Sequence, residues 1–154
     1  VPEVKKPIAR GEDYYIKLIK RHPKDLQAYD QLGQFYLEAR KYSDAANVYE
    51  YLAEHTPTNS NFFAKLGLAQ LHEQEFNRSE LAYKQAIKLD PSHPNRFYNL
   101  ALAQLGLMKW KEAVRCLDSA LELDPEKQMY ADLRCELESK AKTAVPVEKI
   151  HKKV

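Results

Sequence analysis

Five histidines and two cysteines are the residues of this 154-residue chain whose types could ligate a metal or attack a substrate. His72-Glu73 opens the pattern by which one helix presents two histidines to a zinc ion, but the second histidine belongs at residue 76, where Phe76 stands. His22, His55, His93 and His151 have no ligand spacing, and a solvated or capping place accounts for each. Cys116 and Cys135 are too few for a disulfide framework and lack the paired spacing of a zinc site. Reduced, partly buried thiols are expected, with a switchable bridge between them as the alternative. There is no glycine-rich phosphate loop and no cysteine–histidine nucleophile cluster, and Asn77-Arg78-Ser79 is a formal glycosylation sequon at a helix start. An enzyme is therefore the least favoured class, and neither a metal nor a cofactor is expected.

The elements that must position any working side chain come from a repeat. Pro23, Pro57, Pro91 and Pro125 recur every 34 residues, and between them Tyr29, Phe63 and Phe97 align, then Leu32, Leu66 and Leu100, then Tyr42, Phe76 and Trp110, then Tyr49, Tyr83 and Leu117. Self-similarity at such a period is the mark of a stacked-repeat architecture. Each unit reads as two amphipathic helices joined by a short turn, so the expected fold is all-α. Residues 1–8, with Pro2 and Pro7, read as an extended lead-in. Residues 9–22 copy the second helix of a repeat and read as an N-terminal cap, followed by repeats at 24–57, 58–91 and 92–125. A helix over 126–142 reads as the C-terminal cap, with Tyr130, Leu133, Leu137 and Ala141 inward and Lys127, Arg134, Glu138 and Lys140 outward. Residues 143–154, with Lys149, His151, Lys152 and Lys153, read as a loose basic tail.

Within the repeats, Ser43 is expected to cap its helix, and Leu81, Tyr83, Ala86 and Ile87 to form one apolar stripe. Gly33, Gly67 and Ala101 occupy matching places where a small residue lets two helices approach. Phe63, Leu66, Gly67, Tyr83 and Ala86 thus build the stack, and Asn61, Lys65 and Leu68 between them are left for specificity.

With 44% hydrophobic and 30% charged residues, the chain fits one ordinary core. No apolar run approaches the roughly 18 residues of a membrane-spanning helix. The net charge of +2 is uneven: residues 1–22 hold six Lys or Arg against three acids, and 23–57 hold three against six. A near-neutral body with basic ends argues against nucleic acid as a partner. Lys17, Lys20, Arg21 and Lys24 share one helical face, with Lys5, Lys6 and Arg10 upstream. The bland reading is a soluble outer face, and the sharper one is contact with anionic lipid. The chain begins at Val1 rather than Met, which leaves room for an upstream tether. A cytoplasmic place is expected, membrane-associated in the tethered alternative.

Tyr29, Leu32-Gly33, Tyr36, Ala45, Tyr49 and Pro57 together resemble the tetratricopeptide repeat, as do Phe63, Leu66-Gly67, Tyr83, Ala86 and Pro91 and then Phe97, Leu100-Ala101, Ala113, Ala120 and Pro125. The departures are Gln70 and Gln104 for the inner tyrosine and Ser79 for an alanine. The resemblance implies a right-handed α-α superhelix whose first helices line a concave groove that holds a peptide or a partner's helix. By matching positions it places Gln27, Asp30, Gln31, Gln34, Asn61, Lys65, Leu68, Asn95, Tyr98, Asn99 and Leu102 in that groove. Amides dominate the set, and each offers both a donor and an acceptor to a peptide backbone. One subgroup grips a chaperone's terminal carboxylate with Lys, Asn, Asn, Lys and Arg. The matching residues here are Asp30, Gln34, Lys65, Asn95 and Asn99, so that ligand is not expected. The resemblance implies a non-catalytic interaction module that is a monomer or weakly self-associating. The alternative is a self-assembling scaffold.

Overall fold

The computed structural model describes residues 11–143, and the lead-in, Ala9, Arg10 and nearly all of the basic tail lie outside them. The described residues form eight helices and no strand: α1 (Glu12–Arg21), α2 (Leu26–Glu38), α3 (Tyr42–His55), α4 (Ser60–His72), α5 (Phe76–Leu89), α6 (Pro94–Gly106), α7 (Trp110–Leu123) and α8 (Gln128–Thr143). None is long and apolar enough to cross a membrane. Each helix packs on its neighbours in the chain, and α4 also touches α6, as a stacked superhelix of helix pairs requires. Gly11 is extended and serves as the N-cap of α1.

Helix ends follow the repeat. Asp25 and Asn59 accept from the backbone N–H of Gln27 and Asn61 at 3.0 Å, capping α2 and α4. The matching His93 gives no side-chain cap, and Pro94 opens α6 instead. Between the helices of each repeat, Arg40, Gln74 and Met108 take φ of 58°, 61° and 58°. Lys41, Glu75 and Lys109 then donate back to Tyr36, Gln70 and Gln104 carbonyls at 2.8–2.9 Å, the paired closure of a Schellman turn. That turn makes Lys41 the N-cap of α3, so Ser43 lies inside the helix and caps nothing, against expectation.

Packing turns on small residues facing rings. A Cβ on Gly33 would come within 2.8 Å of the Tyr49 ring, and one on Gly67 within 2.9 Å of Tyr83. In the third repeat Leu117 replaces the ring, and Ala101 fits opposite it with both fully buried. Rings at the start of second helices are covered in turn. His72 stacks on Tyr42 at 4.2 Å, bare Gly106 faces Phe76, and the Lys140 ammonium sits 5.8 Å from the Trp110 centroid. Two expectations fail on this surface. Leu81 is 68% exposed, outside the stripe that buries Tyr83 and Ala86, and Arg134 is drawn inward to bond Asp118 of α7 as well as Glu138.

Candidate functional site

α2, α4 and α6 present the side chains of one continuous face, and two hollows lie along it, both touching Lys65. The first, about 220 Å³, is bounded by Asp30, Gln31 and Gln34 of α2 together with Tyr15, Phe35, Glu38 and Lys65. Its polar groups are engaged with each other. The Tyr49 hydroxyl donates to Asp30 Oδ1 at 3.1 Å, the Lys65 ammonium meets the same oxygen at 2.8 Å and lies 5.3 Å from the Tyr49 ring, and Gln34 bonds Glu38 at 3.0 Å. Burial first, and then the Asp30 carboxylate, push the Tyr49 hydroxyl well above its ordinary range, so it remains a donor.

The second hollow, about 230 Å³, lies between α4, α5 and α6, lined by Asn61, Ala64, Lys65, Leu68, Tyr83, His93, Asn95, Arg96 and Asn99. Arg96 forms its buried wall at 4% exposure. Its guanidinium donates to the carbonyls of Asp90 at 3.0 Å and Ala86 at 3.4 Å, at the C-terminal end of α5, and to Asn61 Oδ1 at 2.8 Å. Cations at a helix C-terminus are favoured by the free carbonyls there. His93 pairs with Asp90 at 2.9 Å on the rim. The Tyr83 hydroxyl, at 1% residue exposure, has no hydrogen-bond partner, although the Asn99 amide is close enough to favour its ionised form slightly against the larger opposing effect of burial.

Of the eleven residues placed in the groove by sequence, Asn61, Lys65, Leu68, Asn95 and Asn99 meet in the second hollow, and Asp30, Gln31 and Gln34 meet in the first. Gln27 is exposed outside both, and Leu102 is half-buried outside both. Tyr98 lies against Tyr130 of α8 with centroids 5.2 Å apart, so its ring helps seat the cap. Sequence reasoning missed Arg96 and the hydroxyl of Tyr83. Arg96 stands where the earlier repeats have Ala28 and Phe62, and that break in an apolar column was the available signal.

Away from the groove, a second polar knot joins α5 to the following repeat. Glu80, 5% exposed, accepts from Lys109 at 2.7 Å, Lys84 at 2.8 Å and Gln104 at 3.4 Å. Burial raises its carboxyl, but the three donors outweigh burial and hold it down at about 2. Gln104 also accepts from the Cys116 thiol at 3.2 Å, and burial pushes that thiol up to about 11, which keeps it protonated. Cys135 is exposed rather than partly buried, because α8 has no following helix among the described residues to cover it, and both thiols are free. Three of the four described histidines make separate side-chain contacts, His55 with the Tyr51 carbonyl, His72 with Tyr42 and His93 with Asp90, and His22 is the C-cap of α1.

A family model described as anaphase-promoting complex, cyclosome, subunit 3 matches residues 38–120. No curated protein matches the chain. Among solved structures, the chain is similar to the second TPR domain of human RPAP3 in complex with the HSP70 peptide SGPTIEEVD, with 21% identity, 83% of this chain and 98% of that one covered, and a TM-score of 0.70. It is also similar to MamA from Desulfovibrio magneticus RS-1, with 19% identity, 85% and 74% covered and a TM-score of 0.79. MamA of MSR-1 gives 26% identity, 75% and 67% covered and a TM-score of 0.70.

Proposed function

This chain belongs to the tetratricopeptide-repeat family of anaphase-promoting complex, cyclosome, subunit 3, and from that premise we propose that it is a non-catalytic interaction module that holds an extended partner segment along the face of α2, α4 and α6. One observation carries the reading. The hollow between α4 and α6 gathers the side chains of Lys65, Asn95 and Asn99 around a floor in which Arg96 is already fixed by the backbone of α5. Amides beside a fixed cation suit a peptide, whose backbone offers carbonyls and N–H groups in alternation. The described histidines and the cysteines have structural contacts or lie singly on the surface, so binding rather than turnover is the reading supported. The RPAP3 domain's peptide complex is a precedent for the same fold serving that use.

The test is partner capture with Asn95 and Asn99 both changed to alanine. Tyr98 is left intact, because its contact with Tyr130 would confound binding with stability. Capture should fall at least tenfold with the melting temperature unchanged, and undiminished capture refutes the groove assignment. End-to-end stacking of copies is the competing reading, favoured by one observation: Cys135, in the small-residue place of α8, is exposed where a further helix would sit. Light scattering that is independent of concentration excludes it.

A further inference from the structure

Lys17, Lys20, Arg21 and Lys24 run along one side of α1 and into the turn after it, all of them exposed. The opposite side is packed, with Tyr15 and Ile19 against the core around Tyr49, and no described element covers the basic side. Among the described residues none of the four is ion-paired, whereas most cations elsewhere are, from Lys41 with Glu12 to Lys142 with Glu138. The unpaired remainder, Arg40, Lys88, Lys111, Arg115 and Lys127, are at most two to an element. Neighbouring acids are occupied: Glu12 accepts from Lys41 and Tyr36 at 2.8 Å on the packed side, and Asp25 caps α2. Asp13 is left as the one acid beside the four cations. Like charges three and four apart on a helix repel. The carbonyls ending α1 offset this for Lys20 and Arg21 in its last turn, but not for Lys17 in mid-helix or Lys24 beyond the end. The stripe therefore lacks a counter-charge within the fold.

We propose that the α1 end of the superhelix rests on an anionic lipid surface, with Lys17, Lys20, Arg21 and Lys24 among the headgroups. A cluster of this size on an amphipathic helix suits an acidic bilayer, and in the sequence Lys5, Lys6 and Arg10 precede it directly. Tyr14, 39% exposed, stands three residues ahead of Lys17 on the same side, a place for a ring at headgroup level. The shape favours a plane over a chain. An acidic peptide needs a groove or a strand edge to hold its backbone, and α1 contributes to the hollows of the groove face only Tyr15, from its packed side. A nucleic acid needs its phosphates matched along a longer track than one helix. Because the apolar side of α1 is already packed on α2, the contact is adsorption by charge rather than insertion, and it leaves the face of α2, α4 and α6 open to a partner.

The experiment is co-sedimentation of the full chain with vesicles of phosphatidylcholine alone or with about a third phosphatidylserine, at about 0.1 M salt, where the Debye length is about 10 Å. The chain should sediment with the acidic vesicles and not with the neutral ones, and about 1 M salt should release it. Each cation near such a surface raises partitioning about fivefold, so the stripe variant carrying Lys17→Gln, Lys20→Gln and Lys24→Gln should bind about a hundredfold more weakly. A control carrying Lys88→Gln, Lys111→Gln and Lys127→Gln loses the same charge from other elements and should bind as the wild type does. Unchanged helical circular dichroism in both variants shows that α1 still folds. Equal sedimentation with the two vesicle types, or a stripe variant that sediments like the wild type, overturns the proposal. Equal loss in the control assigns binding to net charge and overturns the stripe. Binding of a labelled oligonucleotide or of polyglutamate, lost in the stripe variant, without sedimentation on acidic vesicles overturns the lipid and assigns the stripe to a polyanionic chain.

Discussion

The seam between the first and second repeats and the seam between the second and third are made from matching positions, yet their polar contacts are mirror images in placement. On the groove side the first seam is closed, with Asp30 between Tyr49 and Lys65, and the second is open, with Ala64 beside an unpartnered Tyr83 hydroxyl. At the inner glutamine the order reverses. Gln104 in the second seam gives its amide to Glu80 and receives the Cys116 thiol, whereas Gln70 in the first faces Ala46 and Ala82 at those places and its Oε1 is unpartnered. Each seam thus has one internal carboxylate and one unfinished contact. The apolar stack is shared, so it fixes the geometry, and the polar positions are free to differ. Differences between seams therefore report on function in a way that the shared positions do not.

The largest effect should come from breaking what the seams share. Gly67→Leu drives a side chain into the Tyr83 ring, which even a Cβ would approach to 2.9 Å. The ring is buried and cannot swing away, so the cost should be about 3 kcal/mol, the upper part of the range for overpacked cores. Gly33→Leu should behave alike, against Tyr49. A thermal melt unchanged by either substitution contradicts the ring-on-glycine packing.

Next in size is the acid sensitivity of the second seam. The folded Glu80 carboxyl, held at about 2, lies below its ordinary 4.5, so its contribution is fully present above pH 4.5 and is lost as pH falls from there towards 2. After allowance for the half-exposed lysines, about 2 kcal/mol should disappear over that window. Glu80→Gln should flatten this part of the profile in urea unfolding at stepped pH. The same slope in both proteins assigns the acid loss to other groups. Glu12, paired with Lys41 and Tyr36 at the cap, is the surface copy of this knot and its carboxyl is likewise lowered, mainly by the Lys41 and Tyr36 bonds.

The two tyrosines give a smaller contrast, aimed directly at the open and closed groove sides. Tyr49→Phe deletes a bond to a carboxylate and should cost about 1.5 kcal/mol, while Tyr83→Phe deletes a buried hydroxyl without an acceptor and should cost little. Equal losses in chemical denaturation mean that the Tyr83 hydroxyl is as well satisfied inside the protein as that of Tyr49.

How much of this was legible beforehand follows from the same division. The period of 34 residues, the glycine-facing rings and the helix pairs could be read directly, because each repeat restates them and steric fit allows few residue types. Tyr83 was legible as a stack builder through its ring. Its hydroxyl was not, since alignment shows that Ala64 replaces Asp30 but only the packing shows that the buried Tyr83 hydroxyl is left without the acceptor that Tyr49 has. Arg96 was hidden for a different reason. A buried cation stands in an apolar column, and its acceptors are the end carbonyls of α5, which leave no trace in residue types. Leu81 misled in the opposite direction, because one apolar residue at an outward position looks like stripe until the matching Asn47 and Arg115 are set beside it.

The smallest effect tests whether an unfinished contact can be completed from inside. Cys116 satisfies Gln104 Oε1, and the matching residue beside Gln70 is Ala82, 6% exposed. Ala82→Cys transplants the missing donor into the first seam with one added sulfur atom. A thiol is a weak donor, so the gain should be about 0.5 kcal/mol, near the lower end for a net internal hydrogen bond. Added volume alone could mimic such a gain, and a double-mutant cycle separates the two. In a Gln70→Leu background the acceptor is gone, so a gain that comes from the hydrogen bond vanishes there and one that comes from packing persists. Persistence would mean that the gain comes from packing at the open hollow beside it, about 250 Å³ and lined by Phe63, Leu66 and Leu81, rather than from the missing bond. The seams would then differ in packing as well as in polarity.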